Sequence, residues 1–190
     1  MTFPSSTDAL VAAREDLAYH QMRVLLLVAR VAATPGQQRK LDGLTKLAKL
    51  DFLVRYPALA PRVLSELDPQ DHRLHLSQSP EVDPTNVEAP MIRYKYGPWD
   101  DRYYPVIGAL VGRGLLRYAT GRQGSVALTS TPAGRRLADQ IADTAPWAEI
   151  ADRCAAIAAA STGLTGAALK DRIYQHLPEL MDRPHREIIR

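Results

Sequence analysis

The sequence predicts a mainly α-helical protein with a small β-hairpin. Apolar residues recur at helical spacing through most of the 190 residues, whereas strand signals are confined to short stretches. The clearest strand signal is "LLRYATGRQGSVALT", residues 115–129, in which two apolar runs flank a turn that contains two glycines. With 46% hydrophobic and 24% charged residues, the composition is that of an ordinary globular chain.

The N-terminal part of the sequence predicts three helices. The first spans about residues 8–33 and ends at the Pro35-Gly36 corner. Its apolar run "VLLLVARVAA" is shorter than the roughly 20 residues that cross a bilayer, so we expect a buried helix and no membrane segment. A second helix lies in "KLDGLTKLAKLDFLVRYP" and stops at Pro57, and a short third one lies in "ALAPRVLSELD".

Residues 69–90 predict an irregular acidic insertion. This stretch holds four prolines and no helical or strand pattern. Between Glu66 and Glu88 there are six acids and one base, Arg73. The net charge of +3 therefore divides into −5 for this stretch and +8 for the rest, which permits a basic face elsewhere on the protein.

The centre of the chain predicts a strand, a helix and a hairpin in succession. Alternation in "MIRYKY" predicts a strand at residues 91–96, and a helix follows over about 101–113, capped by Asp100 or Asp101. Strands at 115–119 and 125–129 then flank a turn in which Gly121 and Gly124 permit positive φ. Thr131 caps the next helix, with Pro132 at its first position.

Three helices followed by a hairpin form the element order of a winged helix-turn-helix. We place the 101–113 helix in the recognition position and the 121–124 turn at the tip of the wing. The strand at 91–96 adds a third strand beside the hairpin on this interpretation. We divide the chain into a winged-helix domain at 1–142, including the long N-terminal helix and the insertion, and a C-terminal helical extension at 143–190.

Three stretches together resemble a known family. They are "LDGLTKLAKLDFLVRYP", "MIRYKYGPWDDRYYPVIGALVGRGLL" and "VALTSTPAGRRLADQI", and they cover roughly residues 40 to 142. The combination resembles the middle component of bacterial three-component ABC-ATPase defence systems, the group that includes Lamassu. The resemblance implies a non-enzymatic winged-helix subunit that sits on the head region of an SMC-like or RecN-like ATPase, beside an effector that is often a nuclease. It further implies a role in anti-phage or anti-plasmid defence.

Five of the twelve aromatic residues crowd into "IRYKYGPWDDRYYP", residues 92–105. Strand alternation places Tyr94 and Tyr96 on one face, against the following helix, which contains Tyr103. We therefore favour packing of these three rings in the protein over stacking on nucleic-acid bases. Trp99 and Tyr104 are candidates for a protein interface, because an aromatic ring with one polar atom is a common interface anchor.

Two further surfaces are candidates for binding. DNA contact is predicted where basic residues share a surface, and a solvated helix face is the alternative for the lysines; the candidates are Lys46, Lys49, Arg39, Lys40, Arg117 and, at the wing tip, Arg122. Such contacts would go mostly to phosphate and would carry no sequence preference. In the C-terminal extension, "LKDRIYQHLPEL" is the preferred segment for docking a partner, with internal packing as the alternative; its candidates are Leu169, Ile173, Tyr174 and Leu177.

Catalytic, cofactor and metal sites are not predicted. His72, His75 and Asp71 lack accompanying ligands, so loop polarity explains them better than a metal does. Cys154 has apolar neighbours at helical spacing and is expected in the core. There is no Gly-rich phosphate loop that ends in Lys-Ser or Lys-Thr, so another chain would supply any nucleotide hydrolysis. One cysteine and no secretion signal favour a cytoplasmic location.

The leading hypothesis is an accessory subunit that couples an ABC-type ATPase to an effector and contacts double-stranded DNA within that complex. The alternative is a stand-alone dimeric winged-helix transcriptional regulator. The stretch "DDRYYPVIGALVGRG", residues 100–114, begins with two acids, which would repel phosphate, and few of its side chains could contact base edges. Both features argue against the regulator. An enzyme with a site in the 69–90 loop is the weakest of the three hypotheses.

Overall fold

The structure is a computed structural model, and it describes residues 17–74 and 90–189. These residues are mainly helical, with eight α-helices and two three-stranded antiparallel sheets. Residues 8–16 of the predicted first helix and residues 75–89 of the predicted insertion lie outside the described part of the chain. Within that part, no helix combines the length and the apolar character needed to cross a membrane.

Helix α1, Leu17–Ala33, forms the centre of the protein. Its second half is buried on nearly every side, as the run of apolar residues predicts. Helix α2, Leu44–Arg55, begins after Gly43, whose φ of 93° suits glycine, and ends before Pro57, which confirms the predicted stop. The third helix, α3, is shorter than predicted and spans only Ala60–Val63, with Pro61 in its first turn.

The first sheet contains the predicted hairpin. Strands β4, Leu116–Thr120, and β5, Val126–Ser130, follow helix α4, Tyr103–Gly112. The third strand is β1, Leu41–Asp42, which pairs with β5 and gives the order β1-β5-β4. The expectation of positive φ at both turn glycines was half right. Gly124 has a φ of 77°, but Gly121 does not; there the lack of a side chain lets the Asp42 carboxylate approach.

The strand predicted at 91–96 does not join the hairpin, and this expectation was wrong. It forms β2, Met91–Tyr94, in a separate sheet with β3, Gly97–Trp99, and β6, Ile188–Ile189. Gly97, with a φ of 99°, turns the chain back on itself before the strand can extend. The Tyr56 hydroxyl ties this sheet to the end of α2, since it accepts from the Met91 N–H at 3.0 Å and donates to the Ile189 carbonyl at 2.6 Å.

The C-terminal part is helical, as predicted, apart from β6. Its helices are α5 Pro132–Ala142, α6 Ala145–Ala160, α7 Gly166–His176 and α8 Pro178–Met181. Thr131 caps α5 by accepting the Gly134 N–H at 3.0 Å, which confirms that prediction. Helix α6 packs on α1 and helix α7 packs on α2, so residues 143–189 cover the core formed by the earlier helices.

Candidate functional site

A buried network of charged side chains joins α1, α2 and the start of α4. Asp51 of α2 accepts hydrogen bonds from Arg23 Nε at 2.8 Å, Arg55 Nη2 at 2.6 Å and Tyr103 Oη at 2.7 Å. Arg55 also pairs with Asp100, with 2.8 Å between Nη1 and Oδ2. All five side chains are buried. Pairing of this kind offsets the cost of burying these charges.

The pKa values in this network are unsuited to proton transfer at neutral pH. Burial alone would raise the pKa of Asp51, but Arg23 and Arg55 hold it well below its usual range. Burial alone would also raise the pKa of Asp100, but the Arg102 and Arg55 guanidinium groups lower it to about 2. Burial and Asp51 raise the pKa of Tyr103 well above its usual range. General acid–base catalysis works best near the operating pH, so the network is better suited to fixing three elements together.

A polar groove lies between the β4-β5 turn and the start of α2. We call it the wing groove, after the wing tip that the sequence predicts at this turn. It has a volume of about 580 Å³ and runs between residues 36–42, the turn residues 122–125 and residues 163–167 at the start of α7. Asp42 organises its wing side by accepting the Arg122 backbone N–H at 3.0 Å and the Ser125 hydroxyl at 3.0 Å. Lys40, Lys46 and Arg122 give the groove its positive charge.

The predicted DNA-contact residues divide into two groups. Arg39, Arg117 and Arg122 are exposed, and Lys40 is half-buried, with its Nζ donating to the Thr120 carbonyl at 2.9 Å. Their role in DNA contact remains a prediction.

Lys46 and Lys49 do not form the exposed basic surface that their spacing suggested. Their exposed fractions are 6% and 1%. The reason is packing: the backbone of Gly166 in α7 lies directly on Thr45 and Lys46, and the end of Lys49 lies against Gly97 of β3. Lys46 Nζ donates to the Gln37 side chain at 2.7 Å, and burial lowers its pKa. Gln37 is buried and lines the wing groove, and nothing in the sequence indicated this position.

A second groove, the aromatic groove, lies on the other side of Thr45. Its volume is about 340 Å³, and Thr45 lines both grooves. Tyr94, Trp99 and Tyr104 stand in a row along it, with ring centroids 6.0 Å and 6.1 Å apart. The remaining lining residues are Leu44, Lys49, Tyr96, Gly97, Pro98 and Asp101.

The aromatic residues follow the packing prediction only in part. Tyr103 is buried, with its ring edge-on to Trp99 at 5.2 Å, which confirms its predicted packing. Tyr94 is half-buried between Trp99 and His185, whereas Tyr96 is 53% exposed, so its predicted packing was wrong. The early Gly97 turn explains this, because it ends strand alternation at Tyr94. Tyr104 is 66% exposed and Trp99 half-buried, which leaves both accessible to a partner.

Three of the four docking candidates in the C-terminal part pack in the protein's own core. Leu169, Ile173 and Leu177 are fully buried, because α7 packs this stripe on α2 and α3. They are not available to a partner in this conformation. Tyr174 is half-buried, with the Arg93 guanidinium 5.4 Å from its ring centroid.

The structure shows the surroundings of three residues that were considered for metal binding or catalysis. Cys154 is buried in α6, as predicted. Asp71 pairs with Arg73 at 2.6 Å, and His72 is exposed beside it. His75 lies outside the described residues, and among those that are described no three His, Cys, Asp or Glu side chains gather where they could hold a metal ion.

No protein-family model, curated protein or solved structure matches this chain.

Proposed function

We propose that this chain is a non-enzymatic winged-helix accessory subunit of a bacterial ABC-ATPase defence complex, in which it docks on the ATPase and an effector. The resemblance of residues 40 to 142 to the middle component of such systems motivates the proposal. The observation that supports it most directly is the exposed, uncharged face of α4.

The arrangement of elements supports a winged helix. Helices α1, α2 and α4 precede the β4-β5 hairpin in the chain, which is the element order of that fold. Strand β1, which lies between α1 and α2 in sequence, completes the sheet by pairing with β5. The second sheet is built from residues between α2 and α4 and from the C-terminus, so it is an addition to this arrangement.

Helix α4, in the recognition position, has a surface suited to a protein partner. Its sequence, "YYPVIGALVG", contains no charged residue. Tyr104, Gly108 and Gly112 lie four residues apart on its exposed side, and the space above both glycines is open. Reading bases in a major groove requires hydrogen-bonding side chains, and the exposed side of α4 offers only the Tyr104 hydroxyl, since Tyr103 is buried. A smooth surface beside an exposed tyrosine is better suited to close packing with another protein.

The alternative is a stand-alone dimeric transcriptional regulator, and the same helix argues against it. A regulator of this type needs its recognition helix to discriminate bases. The exposed Arg117 and Arg122 on the hairpin would contact phosphates, which gives affinity without sequence preference. This combination is more compatible with DNA contact inside a larger complex.

Co-expression with an ABC-type ATPase from a neighbouring gene tests the proposal. We expect the two proteins to co-purify as a stable complex. Gly108→Arg, which places a long charged side chain in the open space on α4, should weaken the complex at least tenfold. Gln140→Arg, at an exposed position on α5, is the matched control and should leave it intact. A solitary, monodisperse dimer that gives a sequence-specific DNA footprint would refute the proposal.

The DNA role has its own test in that complex. Arg117→Glu with Arg122→Glu should weaken binding to duplex DNA and reduce its salt dependence, because two phosphate contacts are lost. Lys95→Glu is the control, because Lys95 is exposed between β2 and β3, in the sheet that does not contain the hairpin. Unchanged binding in the wing variant would remove the hairpin from the DNA-binding surface.

A further inference from the structure

Lys49 is a buried cation whose end faces the aromatic groove. Its side chain is 99% buried, and its Nζ donates one hydrogen bond, to the Pro98 carbonyl at 3.1 Å. A β-carbon added at Gly97 would lie 3.3 Å from both Cε and Nζ, so the absence of a side chain there lets the amine reach this position. Gly97, Pro98 and Lys49 all line the groove. The amine therefore forms part of its floor.

The charge of Lys49 is not balanced within the described part of the chain. Among residues 17–74 and 90–189, Lys49 forms no ion pair. Burial, together with the positive charges of Arg93 and Lys170, lowers its pKa to about 7. An ammonium group has three donors, and only one is used here. An incoming anion would supply the missing charge and accept a hydrogen bond strengthened by the buried setting.

The side chains that line the groove indicate which chemical groups would lie next to the bound anion. Pro98, Trp99 and Leu44 form an apolar lining, and Tyr96 and Tyr104 stand exposed at its mouth. Exposed tyrosines around a recessed pocket are typical anchors of protein interfaces. The volume of about 340 Å³ is at the small end of ligand sites, which fits one or two side chains.

We propose that the aromatic groove is a docking site for an acidic peptide segment of a protein partner, in which an Asp or Glu carboxylate binds Lys49 and an adjacent apolar side chain packs on Trp99. This site goes beyond the proposed function and does not depend on the identity of the ATPase. It assigns Lys49 a role in recognition of a protein, in place of DNA.

Asp101 explains why a peptide is favoured over a nucleic acid. Its carboxylate lines the same groove and pairs with Arg186 at 3.0 Å, with more than half of its side chain exposed. A nucleic-acid strand carries a phosphate at every nucleotide and would bring several negative charges past this acid. A single carboxylate brings only one negative charge into the groove, so Asp101 repels it less.

Selection from a random peptide library tests the assignment. Twelve-residue peptides displayed on phage are selected on the immobilised full chain, and enriched sequences are synthesised with fluorescein for polarisation measurements. We expect enriched peptides to share an Asp or Glu beside an apolar residue. Replacing that acid with its amide should weaken binding at least tenfold, and so should Lys49→Met.

Further variants separate the groove from other surfaces. Tyr104→Ser changes only an exposed side chain at the groove mouth, so it tests the site without perturbing the core, and it should weaken binding severalfold. Arg136→Glu, at an exposed position on α5 that does not line the groove, should leave binding unchanged.

Four outcomes would overturn the assignment. They are the absence of enriched peptides, enrichment without a shared acid, full binding by Lys49→Met, and displacement of a bound peptide by single-stranded (dT)12 at equal concentration. Light scattering adds a fifth: a dimer that Lys49→Met dissociates would indicate a second copy of this chain as the occupant. Failure of the ATPase to co-purify would leave the peptide result standing, so the two proposals fail separately.

Discussion

Replacing Lys49 with methionine should stabilise the protein, and the gain should depend on pH. Burial lowers the pKa of Lys49 from an ordinary value of 10.5 to about 7 in the folded chain. Between these values the unfolded chain binds a proton that the folded chain does not, so the stability of the natural protein rises with pH through this window. Below about pH 7 the full cost of burying the ammonium group is present. Methionine has a similar length and no charge, so it removes that cost.

The magnitude follows from the size of this shift. At about 1.4 kcal/mol per pKa unit, the cost of the buried charge has an upper limit of about 5 kcal/mol at pH 6. Loss of the hydrogen bond to Pro98 offsets roughly 1 kcal/mol of the gain. The advantage of Lys49→Met in free energy of unfolding should therefore be about 2 to 4 kcal/mol at pH 6, and roughly 3 kcal/mol smaller at pH 9.

Urea denaturation followed by circular dichroism at pH 6 and pH 9 measures this difference. The charged neighbours that act on Lys49 are Arg93 and Lys170, and Asp101 lines the same groove; all three are unchanged in the variant. Lys95→Met removes an exposed lysine nearby and should change stability by less than about 0.5 kcal/mol at both pH values. A Lys49→Met variant that is less stable than the natural protein at pH 6, or whose advantage does not vary with pH, would refute the reasoning.

Three other predictions concern the core. Asp51→Asn should cost roughly 3 to 5 kcal/mol of unfolding free energy because buried Arg23 loses its carboxylate partner and Arg55 keeps only its pair with Asp100, whereas Glu179→Gln, in an exposed pair, should change stability far less; equal losses in urea denaturation would contradict this. Because the pKa of Asp100 is lowered from 3.8 to about 2, its contribution is present above pH 4 and should be lost as pH falls towards 2, and circular dichroism during acid titration should show less loss in Asp100→Asn. Gly134→Ala should destabilise the protein, since its new methyl group meets the Leu115 carbonyl, while Gly108→Ala, in open space, should be neutral or stabilising by up to about 1 kcal/mol; thermal denaturation with the reverse order would sink this account.

Elements with local signals were predictable from the sequence. The start of α5 is fixed by a Thr131 cap and Pro132, and both ends of α2 are marked by Gly43 and Pro57. The hairpin strands lie within one residue of their predicted positions because apolar runs and a glycine turn define them. Each of these signals acts within a few residues of the structure it determines.

The second sheet and the aromatic groove depend on contacts between distant parts of the chain. The pairing of Ile188 with Ile92 spans nearly the whole C-terminal half, and a two-residue strand has no periodicity to detect. Lys49 lies three residues from Lys46, which is typical of a solvated helix face. Only the packing of α7 and β3 against that face makes it buried. The basic residues can therefore be identified from the sequence, but their exposure to solvent depends on tertiary packing and cannot.

Hydroxyl-radical footprinting of the chain, alone and with the ABC-type ATPase that the proposal requires as its partner, tests the central proposal most directly. Tyr104 on α4 and Tyr118 on β4 are 66% and 56% exposed, so both should be oxidised readily in the free protein. If α4 is the docking surface, the ATPase should slow the oxidation of Tyr104 at least fivefold and leave Tyr118 unchanged in the absence of DNA. Equal oxidation of Tyr104 with and without the ATPase would contradict the proposed function.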